Sequence, residues 1–198
     1  GMRGISVKAM QKYNVLTTLD QNGTPLEQEY PYPSGGKKIR KLPKSFTAVG
    51  LRNNELFGQD LFAAGCSKMI TITEGELDAM SAWQMLGGAD THYNTPVVSL
   101  PSATPSKKFW AEALAYLGSF EKIVLSLDTD DAGNAIADKI NNLFPNKVHR
   151  VDHGQFKDAN DFLQADKGRD FKSAWFAAPK YMPDNIIHTE EALLKLFD

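Results

Sequence analysis

The chain contains little cysteine and no long apolar segment. Cys66 is the only cysteine among 198 residues, which excludes a disulfide within the chain and a zinc site built from its cysteines. We expect this lone thiol to be buried or half-buried, as small apolar residues usually are. No run of about 18 apolar residues is present, so we predict no membrane-spanning helix and no membrane partner.

Several nucleotide-binding and metal-binding signatures are also absent. The chain has neither the G-x-x-x-x-G-K-[ST] loop of helicase ATP sites nor the G-x-G-x-x-G turn of dinucleotide-binding domains. Its four histidines lack the spacing of a metal-ligand set. A net charge of −2 argues against a general nucleic-acid binder, so any contact with nucleic acid has to come from a local basic face.

The pattern of turn signals and apolar segments changes near residue 67. Before it, a helix that begins after Ser6 and three short strands predict a small antiparallel unit. These strands are expected at residues 15–19, 26–32 and 37–42. After it, strands at 69–73, 96–100, 122–127 and 148–151 alternate with helices at 76–86, 106–117 and 132–144. Such alternation is typical of right-handed crossovers and a parallel sheet.

The helix at residues 106–117 has an apolar stripe that predicts its buried face. Trp110, Leu114 and Leu117 recur at i, i+4 and i+7, a spacing that puts them on one side of a helix. We therefore expect all three side chains to face the sheet.

Carboxylates follow two of the predicted parallel strands. Glu74 comes directly after residues 69–73, and Asp128 and Asp130 come after residues 122–127. Asp128 and Asp130 are two apart in an extended segment, so they face the same side, and ligands of such sheets bind beyond the carboxyl ends of the strands. Carboxylates ~4 Å apart repel by roughly 4 kcal/mol at an effective dielectric constant of about 20. We therefore predict a Mg²⁺ or Mn²⁺ site here, because these cations prefer oxygen ligands.

The sequence around these acids resembles the Toprim domain. Glu-Gly-Glu-x-Asp-Ala occupies residues 74–79, and Asp-x-Asp-x-Ala-Gly occupies residues 128–133, at a spacing that suits that domain. The Toprim domain is shared by primases, topoisomerases, some nucleases and recombination proteins.

Three further segments narrow the resemblance to one group of proteins. The chain has Arg-Gly-Ile-Ser at residues 3–6, Leu-Phe-Gly at residues 56–58 and Lys-Asp-Ala-Asn-Asp at residues 157–161. Together with the acidic motifs, these segments are similar to the primase half of phage-type replicative primase–helicases, the family that includes the mitochondrial helicase Twinkle. The resemblance covers nearly the whole chain.

The resemblance implies an α/β fold in two parts. A small N-terminal α+β subdomain at residues 1–66 would bind template or nucleotide. A Rossmann-like Toprim domain at residues 67–178, with a central and mostly parallel sheet, would be catalytic. Residues 179–198 would form a linker and a short helix that lead toward a helicase domain.

The resemblance also implies a DNA-directed RNA primase, a nucleotidyltransferase that joins nucleoside triphosphates on a single-stranded DNA template. Glu74, Asp128 and Asp130 would be catalytic and, with Asp158, would hold Mg²⁺ or Mn²⁺. Glu74 is alternatively a general base for the attacking 3′-hydroxyl. The family further implies zinc-binding and helicase modules in the intact protein, an isolated fragment that is monomeric, and action in the cytoplasm of a bacterial or phage-infected cell.

Basic residues in three places are candidates for binding nucleic acid or the triphosphate. They are Lys37, Lys38, Arg40, Lys41 and Lys44 in one run, Lys107 and Lys108 at a helix start, and Lys157 beside Asp158. A run of charge is usually only a solvated surface, but beside a metal site it favours contact with phosphates. A helix start with hydroxyl groups also suits an anion, which favours the second pair.

Two other functions stay open from the sequence. A Toprim nuclease would use the same metal site to hydrolyse phosphodiesters. A non-catalytic DNA-binding arm of a replicative helicase would need no metal site, and the intact Glu74, Asp128 and Asp130 argue against it.

Overall fold

The computed structural model describes residues 2–41, 45–52, 54–90 and 94–183. Its α-helices are α1 (Val7–Lys12), α2 (Glu76–Trp83), α3 (Lys107–Gly118), α4 (Asp131–Leu143), α5 (Ala159–Gln164) and α6 (Gly168–Ala177). Its strands are β1 (Leu16–Leu19), β2 (Pro25–Pro31), β3 (Lys37–Lys41), β4 (Ser45–Val49), β5 (Met69–Thr73), β6 (Val97–Ser99), β7 (Lys122–Ser126) and β8 (Val148–Arg150). Strands and helices alternate from β5 onward, as the sequence predicts.

The first four strands form an antiparallel sheet in the order β1–β2–β3–β4. The sequence predicts the first three strands and misses β4, whose side chains are all exposed, as are those of β1. Helix α1 precedes the sheet, and the Ser6 hydroxyl at its start accepts a hydrogen bond from the amide of Ala9 at 3.2 Å.

The last four strands form a parallel sheet in the order β6–β5–β7–β8. Strands β5, β6 and β7 are buried along almost their whole length, which explains why they form continuous apolar segments in the sequence. Thr73 at the end of β5 lies beside Ser99 of β6 and Ser126 of β7. This register brings the residues that follow the three strands to one edge of the sheet.

The N-terminal elements pack against the β6 side of the parallel sheet through aromatic rings. Tyr13 stacks on Phe57 with ring centres 5.2 Å apart, and its hydroxyl donates to the carbonyl oxygen of Val97 at 2.8 Å. Phe57 forms an antiparallel bridge with Ser99 at the end of β6, and Tyr30 of β2 meets the Phe57 ring edge-on. One hydrophobic core therefore includes residues of both sheets.

Two predictions about local structure are wrong. Leu114 is 44% exposed, because α3 turns Ala113 and Tyr116 toward the core in its place. Cys66 is exposed rather than buried. The helix predicted at residues 76–86 is present, with α2 continued by a π-helical turn, Gln84–Gly88.

Helix α6 is an element that the sequence analysis does not predict. It packs Phe171 and Trp175 into the core, and the Trp175 indole donates to the Thr71 hydroxyl of β5 at 2.8 Å. The helix therefore covers one face of the parallel sheet. Of the helices in the described ranges, none is long and apolar enough to cross a bilayer.

An extended segment follows α6 and lies along β8. Lys180 forms an antiparallel bridge with His149, and the amide of Arg150 donates to the carbonyl oxygen of Pro179 at 3.1 Å. The short helix predicted toward the end of the chain falls within residues 184–198, which lie outside the described residues. The boundaries at residues 66 and 178 stay a prediction.

Candidate metal and nucleotide site

The two central strands of the parallel sheet bring Glu74 and Asp128 together. Glu74 follows β5 and Asp128 lies two residues after β7, and the two strands are hydrogen-bonded neighbours. The Glu74 carboxylate accepts a long hydrogen bond from the amide of Asp128 at 3.4 Å. The sequence predicts this meeting, because the carboxyl ends of parallel strands share one edge of a sheet.

Asp130 lies on the same turn and caps the helix that follows. Its Oδ1 atom accepts a hydrogen bond from the amide of Gly133 at 2.9 Å, at the start of α4. The Asp130 side chain is exposed, so its second oxygen stays available to a ligand. The residue therefore fixes the turn and faces the same edge as Asp128.

Asp78 is a fourth carboxylate at this edge, and the sequence analysis did not assign it. It lies in the first turn of α2, and its Oδ1 atom accepts a hydrogen bond from the amide of Asn160 at 3.2 Å. Burial, and then the negative charge of Asp158, raises the pKa of the Asp78 carboxyl well above its usual value. The available signal was its spacing of four residues from Glu74, about one turn of a helix.

Asp158 and Lys157 reach the edge from the loop that follows β8. Asp158 caps α5 by accepting a hydrogen bond from the amide of Asp161 at 2.8 Å, while the Lys157 ammonium lies 3.0 Å from Oδ2 of Asp128. His153 is buried beneath this loop, donates to the Lys157 carbonyl oxygen at 3.2 Å and pairs with the Ser126 hydroxyl at 2.8 Å. The loop is therefore tied to the end of β7.

The electrostatics of these groups show one acidic cluster with a cation beside it. Burial, and then the charge of Asp128, raises the pKa of Glu74. The hydrogen bond with Asp128 and the charges of Asp128, Asp158 and Glu74 raise the pKa of Lys157. The carboxylates of Glu74 and Asp78 are therefore easier to protonate and the Lys157 ammonium is harder to deprotonate, as repulsion between like charges and attraction between opposite charges require.

The cluster suits a divalent cation in its donor chemistry. Its donors are carboxylate oxygens, which Mg²⁺ and Mn²⁺ prefer, and the ammonium of Lys157 already lies among them. Within the described ranges, however, no three His, Cys, Asp or Glu side chains converge closely enough to enclose a metal ion. Asp128 holds Lys157 and Asp130 holds a helix amide, so carboxylates have to turn before a ligand set closes.

The basic run on β3 is divided between two sides of the antiparallel sheet. The Lys37 ammonium pairs with Glu29 at 2.6 Å on the outer side, and Lys41 is exposed. Lys38 and Arg40 face inward, and Arg40 is only 4% exposed, with Nε and Nη1 buried and without a hydrogen-bond partner among the described residues. Lys44 lies outside the described residues. The run is therefore not one uniform basic surface.

Glu76 is a buried acid that joins the two sheets, and the sequence analysis did not single it out. Its Oε1 atom accepts a hydrogen bond from the Tyr32 hydroxyl at 2.6 Å and lies 2.6 Å from the Lys38 ammonium. Tyr32 follows β2, Lys38 is on β3, and Glu76 opens α2. The second acid of the Glu-Gly-Glu motif thus connects the antiparallel sheet to the helix that carries Asp78.

Lys107 and Lys108 begin α3 and are both exposed. Ser106 caps this helix by accepting a hydrogen bond from the Phe109 amide at 3.1 Å. Lys108 pairs with Glu112 at 3.7 Å and lines an open cleft of 290 Å³. The two lysines thus begin the helix that follows β6, and both are exposed enough to meet a charged ligand.

Comparison with known proteins finds a family and related structures for this chain. The family model for Toprim-like domains matches residues 71–163. The DNA helicase/primase of Enterobacteria phage T3 is 32% identical over 200 residues, covering 93% of this chain and 32% of that protein. The chain therefore spans about a third of the length of this relative.

Solved structures agree with the sequence match. The primase fragment of the bacteriophage T7 primase-helicase superposes with a TM-score of 0.74 at 29% identity, over 87% of this chain and 72% of that one. The T7 primase domains bound to an RNA/DNA hybrid and dTTP, in a complex with the lagging-strand DNA polymerase, match with a TM-score of 0.69 at 29% identity, over 91% of each chain. The relatives are thus DNA primases of phages.

Proposed function

Because this chain belongs to the Toprim-containing primase cores of phage-type primase–helicases, we propose that it synthesises short RNA primers on a single-stranded DNA template. The activity is that of a DNA-directed nucleotidyltransferase. The observation that carries the proposal is the acidic edge of the parallel sheet, where Glu74, Asp128 and Asp78 meet next to the ammonium of Lys157.

We infer that Glu74, Asp128, Asp130 and Asp158 hold Mg²⁺ or Mn²⁺, with Asp78 as a further donor. A bound divalent cation would orient the triphosphate and neutralise charge on the attacking and leaving oxygens. The protein's own part is to keep these carboxylates on turns that the parallel sheet fixes. Glu74, whose pKa is raised by burial and by Asp128, is also suited to accept the proton of the 3′-hydroxyl.

The basic residues have different roles in this proposal. Lys157 would leave Asp128 when the metal arrives and bind a phosphate of the nucleoside triphosphate. Lys107 and Lys108 are exposed enough to contact template phosphates, and Lys41 and Lys44 would add non-specific DNA affinity. The rest of the basic run would have a supporting role in this DNA-binding surface. The structure pairs Lys37 and Lys38 with carboxylates and buries Arg40.

The proposed organisation follows that of the relatives. Residues 1–66 would contact template and nucleotide, residues 67–178 would carry out the chemistry, and residues 179–198 would lead to a helicase module, with a zinc-binding module elsewhere in the intact protein. We infer that the fragment is monomeric. It would act in the cytoplasm of a bacterial or phage-infected cell, because the relatives are phage proteins.

Ribonucleotide incorporation on single-stranded DNA, with Mg²⁺ or Mn²⁺, tests the proposal. We expect short RNA products from the wild-type chain and a loss of more than about 100-fold in Asp128→Asn, equivalent to about 2.7 kcal/mol of transition-state stabilisation. Asp170→Asn is the matched control, and Lys167→Met is a second one, because these two residues pair with each other on another surface. Shortened template would indicate a nuclease, and binding without products would indicate a non-catalytic arm. Either result contradicts the primase proposal.

A further inference from the structure

We propose that Arg150 is a positioning residue that holds the Asp128 peptide in the geometry needed for metal binding. The inference rests on the proposed function, because it takes Asp128 as a metal-binding carboxylate. Arg150 lies at the end of β8, next to β7, and its side chain is half-buried. Neither the acidic motifs nor the basic run includes this residue.

The Arg150 guanidinium spans the turn that carries the acids. One nitrogen, Nη2, donates to the carbonyl oxygen of Asp128 at 2.7 Å, and the other, Nη1, donates to Oδ1 of Asn134 at 2.6 Å. Asp128 begins the turn and Asn134 lies in the first turn of α4. A planar, charged fork thus fixes the two ends of the turn relative to each other.

The carbonyl group of Asp128 depends on its hydrogen bond with Arg150, because Asp128 lies beyond the end of strand β7. Strand β7 ends at Ser126, and among the described residues the amide of Asp128 has only the long contact of 3.4 Å with Glu74. Gly133 lies so close to the Asp128 carbonyl oxygen that a Cβ atom at position 133 would be 2.1 Å from it. The turn is therefore tight, and the guanidinium determines where its first carbonyl points.

Arg150 is itself held by the segment that follows α6. Its amide donates to the carbonyl oxygen of Pro179 at 3.1 Å, and its guanidinium carbon lies 5.8 Å from the centre of the Tyr181 ring. The Tyr181 hydroxyl donates to Asp138 of α4 at 2.7 Å. Strand, helix and segment thus enclose the guanidinium, which also lines an open cleft of 510 Å³ with Thr129.

Lysine at position 150 would not reproduce the contact. Its ammonium is a single point of charge on a flexible chain, whereas the guanidinium holds two acceptors in a fixed plane. A lysine would therefore bind either the Asp128 carbonyl oxygen or the Asn134 side chain, but not both in a fixed plane. It would hold the turn less rigidly than the arginine does. We expect Arg150→Lys to have an effect between those of the wild type and Arg150→Met.

Lys147 supplies a matched control at the other end of the same strand. Its ammonium donates to the carbonyl oxygens of Gly118 and Phe120 at 2.8 and 2.9 Å. Lys147→Met therefore also removes a basic side chain that binds two acceptors beside β8, but these acceptors lie at the end of α3 and just after it rather than in the turn that carries Asp128. If Arg150 serves stability alone, the two methionine variants should behave alike.

The test is a Mn²⁺ titration followed by electron paramagnetic resonance, with folding checked by circular dichroism. We expect Arg150→Met to weaken Mn²⁺ binding at least about fivefold, while Lys147→Met keeps the wild-type affinity even if it melts at a lower temperature. The Mn²⁺ concentration for half-maximal primer synthesis should rise by the same factor in Arg150→Met, with an unchanged KM for template DNA. If Arg150→Met does not fold, the expected intermediate affinity of Arg150→Lys tests the inference instead.

Two results would overturn the inference, and they differ in what else they affect. Wild-type affinity for Mn²⁺ in both Arg150 variants would overturn the positioning role and leave the proposed metal site intact. A wild-type chain that binds no Mn²⁺ would overturn the metal site, and the positioning role would fall with it.

Discussion

Charged residues lie in different places in the two sheets of this molecule. In the parallel sheet the central strands are buried, and carboxylates occur only where β5 and β7 have ended. In the antiparallel sheet charge lies within the strands, since β3 is Lys-Lys-Ile-Arg-Lys and alternates between an outer and an inner side. A sheet buried on both faces can carry charge only at its ends, so its functional edge can be located from sequence. For a sheet with one exposed face, the sequence does not show which of the charged side chains are buried.

The contact between the sheets, here named the joint, is the pair of Lys38 and Glu76, and it follows from this difference. Lys38 points inward from the antiparallel sheet and meets Glu76, which opens the helix after β5. The side chains of this pair are 18% and 9% exposed, whereas those of the neighbouring pair of Lys37 and Glu29 are 36% and 23% exposed. The inner pair therefore connects the sheets, and the outer pair lies nearer to water. Three variants test this comparison.

The largest effect on stability is expected at the joint. Lys38→Met leaves the Glu76 carboxylate buried with only the Tyr32 hydroxyl as donor, and breaking such a pair costs about 3–5 kcal/mol. The second variant, Lys38→Met with Glu76→Gln, removes the unpaired charge and keeps the bond from Tyr32, so it should recover most of the loss. Urea unfolding measures both free energies.

Lys37→Met is the control for the joint, because the residue is adjacent in sequence and faces the other way. Its exposed ion pair is worth about 0–1 kcal/mol. Equal losses in Lys37→Met and Lys38→Met would contradict the distinction between inner and outer charges of β3.

A smaller gain in stability is expected at the acidic edge. Burial and the charge of Asp158 raise the pKa of Asp78 to about 8, so between about pH 4 and pH 8 the folded chain binds more protons than the unfolded chain. Stability therefore falls as pH rises through this window. Asp78→Asn cannot ionise and keeps an oxygen for the Asn160 amide. In metal-free buffer, the free energy of unfolding of Asp78→Asn should match that of the wild type near pH 4. At pH 8 it should be about 2 kcal/mol higher than that of the wild type, which is part of what the whole pKa shift would give at ~1.4 kcal/mol per pKa unit.

Thermal melts across this pH range provide the measurement. For a chain of this size, each kcal/mol corresponds to a rise of about 2–4 °C in Tm. A wild-type Tm that does not fall between pH 4 and pH 8 relative to Asp78→Asn would show that Asp78 is not strained by its neighbours. Added Mg²⁺ should stabilise the wild type more than the variant, because the cation neutralises the charge that the variant lacks.

The smallest effect is expected at Lys157. Its ammonium lies 3.0 Å from Asp128 but is 69% exposed, so the pair is worth about 1 kcal/mol at most. Lys157→Met removes a positive charge that competes with the metal, and Mn²⁺ should bind roughly fivefold more tightly in the absence of nucleotide. Lys167→Met serves again as the control, measured in the same titration. Unchanged or weaker binding in Lys157→Met would exclude competition between the ammonium and the metal.

The comparison of the sheets also explains how far the sequence could predict the structure. Strands β5 and β7 and the meeting of Glu74 with Asp128 follow from continuous apolar segments that end in acids, because a parallel sheet aligns its strand ends. Strand β4 was missed, although it is no more exposed than the predicted strand β1; its place is given by its pairing with β3, which its own five residues do not show. The role of Lys38 could not be found either, since its partner Glu76 is distant in sequence.

The sequence also could not predict which single polar residues are buried. Arg40 lies in a basic run and was predicted to bind nucleotide or DNA, yet its position opposite Gln28 and Phe46 in neighbouring strands puts it on the inner side of the sheet. Asp78 lies in the first turn of a helix, where an acid is ordinarily a surface residue. The packing of α5 against α2 buries it there and supplies the Asn160 amide that it binds.

The central claim is that carboxylates at the edge of the parallel sheet hold the metal. Anomalous scattering from crystals grown with Mn²⁺ and a nucleoside triphosphate tests it most directly. We predict a Mn²⁺ peak at ligating distance from Asp128 and Glu74, with the Lys157 ammonium moved away from Asp128 toward a phosphate. A peak at another surface, or Lys157 still paired with Asp128 while Mn²⁺ is bound elsewhere, would contradict the account.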